Sequence, residues 1–195
     1  MSEHVGNLCS SCFWQLRQLR QIRRSLSDNS AHILVHAFII SRLDYCNAVL
    51  HGVTIREQNR LQTILNASAR VLTRTPKFQS ISTLLRDSLH WLPISQRVRF
   101  KVILMVWNSL LGRAPRYLQD LCLPVSSNQF RSRLRSSQQG MLLVPACHSS
   151  LMQRRGFVVS GQSEWNRLPA AVRVLAGDGV TAAFRSQLTT FLFMQ

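Results

Sequence analysis

The sequence predicts a mainly α-helical protein: a helical bundle over residues 1–122, a basic Ser/Arg arm or linker over 123–140, and a small α/β C-terminal subdomain over 141–195 with two short strands and helices. Three observations predict this organisation. Apolar residues recur at helical spacing, capping residues and prolines bound those stretches, and residues 126–140 are rich in serine and arginine with no acid. With 195 residues, of which 46% are hydrophobic, the chain can bury a core.

A first helix is predicted from about Val5 to Leu26. Its apolar side chains form one stripe at near-helical spacing: Cys12, Leu16, Leu19, Ile22 and Leu26. Arg17, Arg20 and Arg24 fall on the opposite side. Arg23 falls on the apolar side, so its side chain is expected to snorkel towards water.

The second and third helices each begin at a recognisable cap. Ser27 or Asp28 can cap the second helix, whose segment 33–40 is apolar nearly all round, as is typical of a central helix. Thr54 and Glu57 have the spacing of a capping box and open the third helix.

A fourth long helix is predicted after Pro93, with Gly112 as its C-cap. The side chains expected to form the first core share helical spacing on these segments; they are Val35, Phe38, Ile39, Leu43, Leu61, Ile64, Val98, Val102 and Met105. Truncation of Phe38 to alanine is therefore expected to destabilise the bundle by about 3–5 kcal/mol.

The C-terminal subdomain is predicted to mix strands and helices. Met141–Pro145 and Gly156–Ser160 have the pattern of short strands, whereas Trp165–Ala176 and Thr181–Phe193 have the pattern of helices. These segments together give the α/β expectation for 141–195.

The charge is strongly positive: 24 basic residues against 8 acidic ones give a net charge of +16. Only Lys77 and Lys101 are lysines, so 22 of the 24 basic residues are arginines. This balance predicts attraction to phosphate-rich partners, and arginine suits forked phosphate contacts and stacking on bases.

Three arginine clusters have no acid beside them and are the candidate nucleic-acid-binding residues: Arg17, Arg20 and Arg24; Arg131, Arg133 and Arg135; Arg154 and Arg155. In an extended arm the second cluster would place its guanidinium groups on one side, about 6.6–6.8 Å apart, so that successive arginines meet successive phosphates. The alternative for the arm is a solvated spacer. The tryptophans could stack on bases, but apolar neighbours favour core packing for Trp91 and Trp107.

The same residues argue against catalysis and against a metal. The eight acids include no close pair, and two-metal phosphoryl chemistry needs clustered carboxylates, so no catalytic residue and no cofactor are expected. Cys9 and Cys12 have no second ligand pair at finger spacing, and Ile33 stands where a zinc protease would need glutamate after His32. Packing roles are therefore favoured for Cys9 and Cys12, and also for His32 and His36.

The compartment expected is nuclear or cytoplasmic, and not secreted. Five widely spaced cysteines do not suggest a disulfide framework, and the N-terminus lacks the pattern of a signal peptide. The strongest apolar run, 33–40, is far shorter than the ~20 residues of a membrane span, so no membrane partner is expected.

Several stretches occur in an order typical of one family: CFWQLRQLRQIRRSL, AFIISRLDYCNAVLHG, LQTILNASARVLT, LHWLPISQRVRFKVILMVWNSLLGRAPRYL, RSRLRSS, WNRLPAAVR and FRSQLTTFLF. SRLDYCN and LHWLP are the more specific. The chain resembles the C-terminal region of the reverse transcriptase polyprotein of jockey-like non-LTR retrotransposons (LINE elements). The resemblance implies a helical thumb that follows the polymerase palm, then a tail. The palm and the endonuclease would lie upstream of these segments.

Two functions follow as expectations. The first is a non-catalytic fragment that grips RNA or RNA–DNA hybrid through arginine–phosphate contacts, with a polymerase palm in trans as a further partner. The second is a protein-interaction module or inert remnant whose helices once packed against the missing palm. Salt-sensitive binding would favour the first, and salt-insensitive self-association the second.

Overall fold

The computed structural model describes residues 1–76, 78–127, 139–146, 155–175 and 181–195. They form two compact units, 1–97 and 98–195. The predicted boundary lies near residue 122, whereas residues 98–122 group with the later chain because they pack against it. The side-chain amide of Gln162, for example, donates a 2.7 Å hydrogen bond to the Leu121 carbonyl.

The first unit is helical, and the helices that follow Ser27 and Thr54 begin where the caps predict. Its helices are α1 (Ser2–Ile22), α2 (Asp28–Val35), α3 (Ser41–Asp44), α4 (Ile55–Thr73) and the start of α5 (Ile94–Leu110). Ser27 caps α2 by accepting a 3.1 Å hydrogen bond from the Ser30 amide. The capping box is present: the hydroxyl of Thr54 accepts from the Glu57 amide at 3.3 Å, and the Glu57 carboxylate accepts from the Thr54 amide at 3.2 Å.

The core of the first unit lies where α1 and the following helices pack against α4. Its fully buried side chains include Val5, Cys12, Leu16, Val35, Ile39, Leu61, Ile64 and Leu65. In the stripe predicted for α1, Cys12, Leu16 and Leu19 are buried, whereas Ile22 is 47% exposed and Leu26 is half-buried. Arg17, Arg20 and Arg24 are exposed, but they flank the buried stripe beside α4 and do not lie opposite to it as predicted. The amphipathic pattern therefore fixes which residues remain available on the surface.

The prediction for Phe38 is wrong, since 40% of this residue is exposed. A π-helical turn at His36–Ile40 is the reason, because the Ser41 amide bonds back five residues to the His36 carbonyl. The widened turn brings both Ile39 and Ile40 into the core and leaves Phe38 outside. Met105 is only half-buried. Apart from Phe38 and Met105, the predicted core residues are buried.

Arg23 does not snorkel; it is 6% exposed. Its guanidinium donates hydrogen bonds of 2.9 Å to each of the Val71 and Leu72 carbonyls at the C-terminal end of α4. It also donates to the Leu26 carbonyl at 3.1 Å and to the Asp28 carboxylate at 2.5 Å. A buried arginine thus satisfies carbonyls that a helix end leaves without partners.

Asp44 pairs with Arg97 of α5. Arg97 donates to both carboxylate oxygens, at 3.0 and 2.8 Å, and also to the Leu92 carbonyl at 2.9 Å. Arg42, which is closer to Asp44 in the sequence, bonds to the Ser11 hydroxyl instead. Arg97 therefore links the SRLDYCN and LHWLP segments within the first unit, through an ion pair to Asp44 and a hydrogen bond to Leu92.

The described part of the second unit contains the rest of α5 and the shorter helices α6 (Arg116–Gln119), α7 (Phe157–Asn166), α8 (Ala170–Leu175) and α9 (Thr181–Phe193). Gly112, with φ of 69°, ends α5 as predicted. Trp107 stacks on Phe184 with ring centroids 4.6 Å apart, and Trp165 lies 6.1 Å from the same ring. All three side chains are fully buried.

The small α/β subdomain is not supported. The predicted strand Gly156–Ser160 is wrong, because Phe157–Asn166 is a helix. In the other predicted strand, Leu142 forms an isolated antiparallel bridge with Pro124, and the described residues contain no strand. The Asn166 side chain bonds to both the amide and the carbonyl of Leu142, at 2.9 and 2.8 Å, and so occupies the place of a second strand.

No described helix has the length and apolarity needed to cross a membrane.

Candidate nucleic-acid interface

A groove runs between α1 and α4 within the first unit. The stripe of α1 that faces the core brings the helix against α4, so the residues that flank this stripe line the groove. Arg17 and Arg20 of α1 and Arg24 just after it line one side. Arg60 and Arg70 of α4 line the other.

The groove has two compartments that share Phe13 and Thr63. The aromatic compartment, about 540 Å³, is lined by Cys9, Ser10, Phe13, Trp14, Arg17, Arg60 and Thr63. The basic compartment, about 700 Å³, is lined by Phe13, Arg20, Arg23, Arg24, Thr63, Ala67, Arg70, Val71, Arg74 and Thr75. Neither contains an acidic side chain among the residues that the structure describes.

The guanidinium groups of the groove are mostly unpaired. Arg17, Arg20, Arg24 and Arg60 form no hydrogen bond or ion pair with any described part of the chain. By contrast, Arg99 and Arg167 in the second unit both bond to the buried Glu164. The positive charge of the groove is therefore available to an anion from outside.

The α4 end of the groove stays positive because of Arg23. A helix C-terminus carries partial negative charge, but the Arg23 guanidinium occupies the last carbonyls of α4. One acid lies beside these arginines: Asp28 bonds to Arg23 and lies 3.7 Å from the Arg74 guanidinium. The hydrogen bond and charge of Arg23 hold the pKa of Asp28 below its ordinary value, so this acid is ionised and offsets part of the charge of Arg74.

Trp14 is the tryptophan that the fold leaves accessible. It is 55% exposed, whereas Trp91, Trp107 and Trp165 are at most 7% exposed. Phe13 beside it is 38% exposed and faces both compartments. An exposed indole flanked by guanidinium groups is a surface on which a base can stack.

The structure brings together one of the three predicted arginine clusters, Arg17, Arg20 and Arg24. The predicted residues Arg131, Arg133, Arg135 and Arg154 lie outside the described residues. Arg155 is half-buried and belongs to the second unit.

Sequence reasoning missed the α4 side of the groove. Arg60, Arg70 and Arg74 join Thr63 and Ala67 at successive helical steps, so their spacing carries the signal. The prediction considered only arginines close together in sequence. It therefore did not include Arg60 and Arg70, which lie ten residues apart on one face of α4.

The paired cysteines of α1 are packing residues in this structure. Cys9 and Cys12 are buried, and burial raises the pKa of both thiols, that of Cys12 to about 11. Among the described residues, no three His, Cys, Asp or Glu side chains form a group that could hold a metal ion. The ring of His36 meets Trp91 edge-on, with centroids 6.2 Å apart.

No known protein-family model, curated protein or solved structure matches the chain. Fold and site together define a mainly helical protein with an arginine-lined, aromatic-flanked groove.

Proposed function

We propose that the chain is a non-catalytic nucleic-acid-binding protein that grips RNA or RNA–DNA hybrid through arginine–phosphate contacts in the α1–α4 groove. The main support for this function is that the guanidinium groups of four arginines are unpaired and lie beside exposed aromatic rings; these are Arg17, Arg20, Arg24 and Arg60. A monomer's solvated face normally mixes both signs of charge, whereas this groove does not.

The physical basis is release of counterions from the nucleic acid. Each phosphate neutralised by an arginine frees condensed cations, so affinity falls as salt rises and depends little on sequence. The resemblance to the post-palm region of LINE reverse transcriptases agrees with this function and with a nuclear or cytoplasmic setting. A polymerase palm in trans would then be a further partner.

The test is a salt series with the full chain. Fluorescence anisotropy with a labelled RNA and an RNA–DNA hybrid, from about 50 to 200 mM salt, measures the slope of log affinity against log salt. Replacement of Arg17, Arg20 and Arg24 by alanine should weaken binding to every sequence alike and flatten the slope by roughly two to three units.

A matched control removes the same charge elsewhere. Arg86, Arg116 and Arg185 are exposed and line neither compartment of the groove. Their triple alanine variant should bind nearly as the unmodified chain does. An equal loss in both variants would mean that net charge alone drives binding, and the groove assignment would fail. The Arg131, Arg133 and Arg135 triple variant measures the share of the predicted arm separately.

A second candidate function is a protein-interaction module or inert remnant that packed against a polymerase palm. The exposed apolar side chains around α2 and α3 favour it: Ile33, Tyr45 and Val49 are 60%, 78% and 59% exposed. Scattered apolar residues are common on protein surfaces, so this observation supports an interaction module less strongly than the groove supports nucleic-acid binding. Size-exclusion chromatography at high salt separates the two, because self-association through apolar faces would persist there.

A further inference from the structure

We infer that the α1–α4 groove takes single-stranded nucleic acid, with a base stacked on Trp14 and the adjoining phosphates held by the arginines of the basic compartment. This inference rests on the proposed function and names the form of nucleic acid that the same groove binds. It follows from the side-by-side placement of the two compartments.

Trp14 is placed to receive a base rather than to complete the core. More than half of the residue is exposed, and it lies in a compartment whose other walls include Phe13 and the guanidinium groups of Arg17 and Arg60. A volume of about 540 Å³ lies within the range of pockets that hold small ligands. Arginine planes also stack on bases, so the base can be held from more than one side.

The backbone of the nucleic acid then passes into the basic compartment. Along α1, Arg17, Arg20 and Arg24 follow Trp14 at three- and four-residue steps, which correspond to about 4.5 and 6 Å of rise. Phe13 and Thr63 border both compartments, so they form a continuous path from the indole to Arg70 and Arg74. A base and its neighbouring phosphates can therefore be bound together.

Stacking requires an unpaired base. In a duplex the faces of the bases are covered by their neighbours, and a protein ring meets a base face only where the strand is single or opened. A duplex could contact the arginines through its phosphates, but it would offer no base face to Trp14. An acidic peptide would likewise satisfy the charges without using the exposed ring, so single strands explain more of the site.

The experiment uses the intrinsic fluorescence of the full chain. Because Trp14 is far more exposed than the other three tryptophans, quenching by a bound base reports on this position. Oligo(U) of about 12 nucleotides should quench the emission and bind more tightly than a mixed-sequence RNA–DNA hybrid of equal length. Trp14→Ala should abolish the quenching and weaken oligo(U) binding by roughly 5- to 100-fold with an unchanged salt slope.

Two further variants make the result specific. Trp14→Phe should retain most of the affinity because it keeps a ring. Tyr45→Ala, which removes an exposed aromatic residue outside the groove, should change nothing. Unfolding in urea checks that each variant folds as the unmodified chain does.

Three results would overturn the single-strand inference, and they differ in what they imply for the proposed function. Equal binding of hybrid and oligo(U), with no effect of Trp14→Ala, would overturn the single-strand inference and leave the proposed function standing. No salt-sensitive binding of any nucleic acid would overturn both. Equal competition by poly-glutamate of matched charge would assign the groove to an acidic protein segment and also overturn the inference.

Discussion

The guanidinium of Arg23 donates a 2.9 Å hydrogen bond to the carbonyl of Val71, 48 residues later in the chain. This bond ties the end of α1 to the end of α4, the two helices that line the groove. Arg23 is buried whereas its neighbour Arg24 is exposed, so adjacent arginines serve the fold and the surface respectively.

Arg23→Met should lower the free energy of unfolding by about 2–4 kcal/mol, because it leaves the Val71 and Leu72 carbonyls buried without donors. Urea unfolding followed by circular dichroism measures the change. Arg24→Met is the matched control and should change stability by less than about 0.5 kcal/mol. A small effect at Arg23 would show that water can reach these carbonyls.

The ion pair of Asp28 with Arg23 should make stability depend on pH in acid. The pKa of Asp28 is lowered in the folded state, so its contribution is fully present above the unfolded-state pKa of about 4 and is lost as pH falls through the lower folded-state value. The stability difference between the unmodified chain and Asp28→Asn should therefore shrink as pH falls from 5 to about 2. In an Arg23→Met background this difference should lose most of its pH dependence, and a persistent dependence would point to another partner.

Phe38 and Ile39 are neighbours with opposite environments, at 40% and 0% exposure. Ile39→Ala should destabilise the protein by about 2–5 kcal/mol through loss of buried contacts and a cavity. Phe38→Ala should change stability by about 1 kcal/mol or less, which replaces the larger value expected from the sequence. Equal losses in thermal or urea unfolding would contradict the π-helical turn.

The cysteines should differ sharply in reactivity. In a Cys147→Ser background, Cys46 is exposed and should react at once with a thiol-specific chromogenic reagent. Cys9, Cys12 and Cys122 are buried with raised pKa values and should react only as the protein unfolds. Adding Cys46→Ser should remove the fast phase; a fast phase that remained would show that α1 or the segment around Cys122 opens readily.

Much of the helical fold could be predicted from local signals. The Thr54–Glu57 capping box and the Gly112 C-cap each depend on a few adjacent residues, and each is confirmed. The partner of Asp44 could not be identified from local sequence, because Arg97 lies 53 residues away.

The predictions for Phe38 and for Gly156–Ser160 are wrong for physical reasons that a local sequence pattern does not contain. A regular 3.6-residue period places Phe38 in the core, and the π-helical turn breaks that period without leaving a proline or glycine to mark it. Gly156–Ser160 has strand-like residues, yet it leads into the helix Phe157–Asn166, which contains the buried Trp165. Tertiary packing overrides propensity at such short apolar segments.

The π-helical turns also bear on how the length of this chain can vary. At His36–Ile40 and at Leu84–Ser88 one additional residue is accommodated locally, with hydrogen bonds that reach back five residues. Removal of Ala37 would allow the first turn to close to the ordinary helical spacing while α2 and α3 keep their rotational phase. Related chains one residue shorter at either turn could therefore share the same packing, and gaps of a single residue in future alignments should cluster at these two turns.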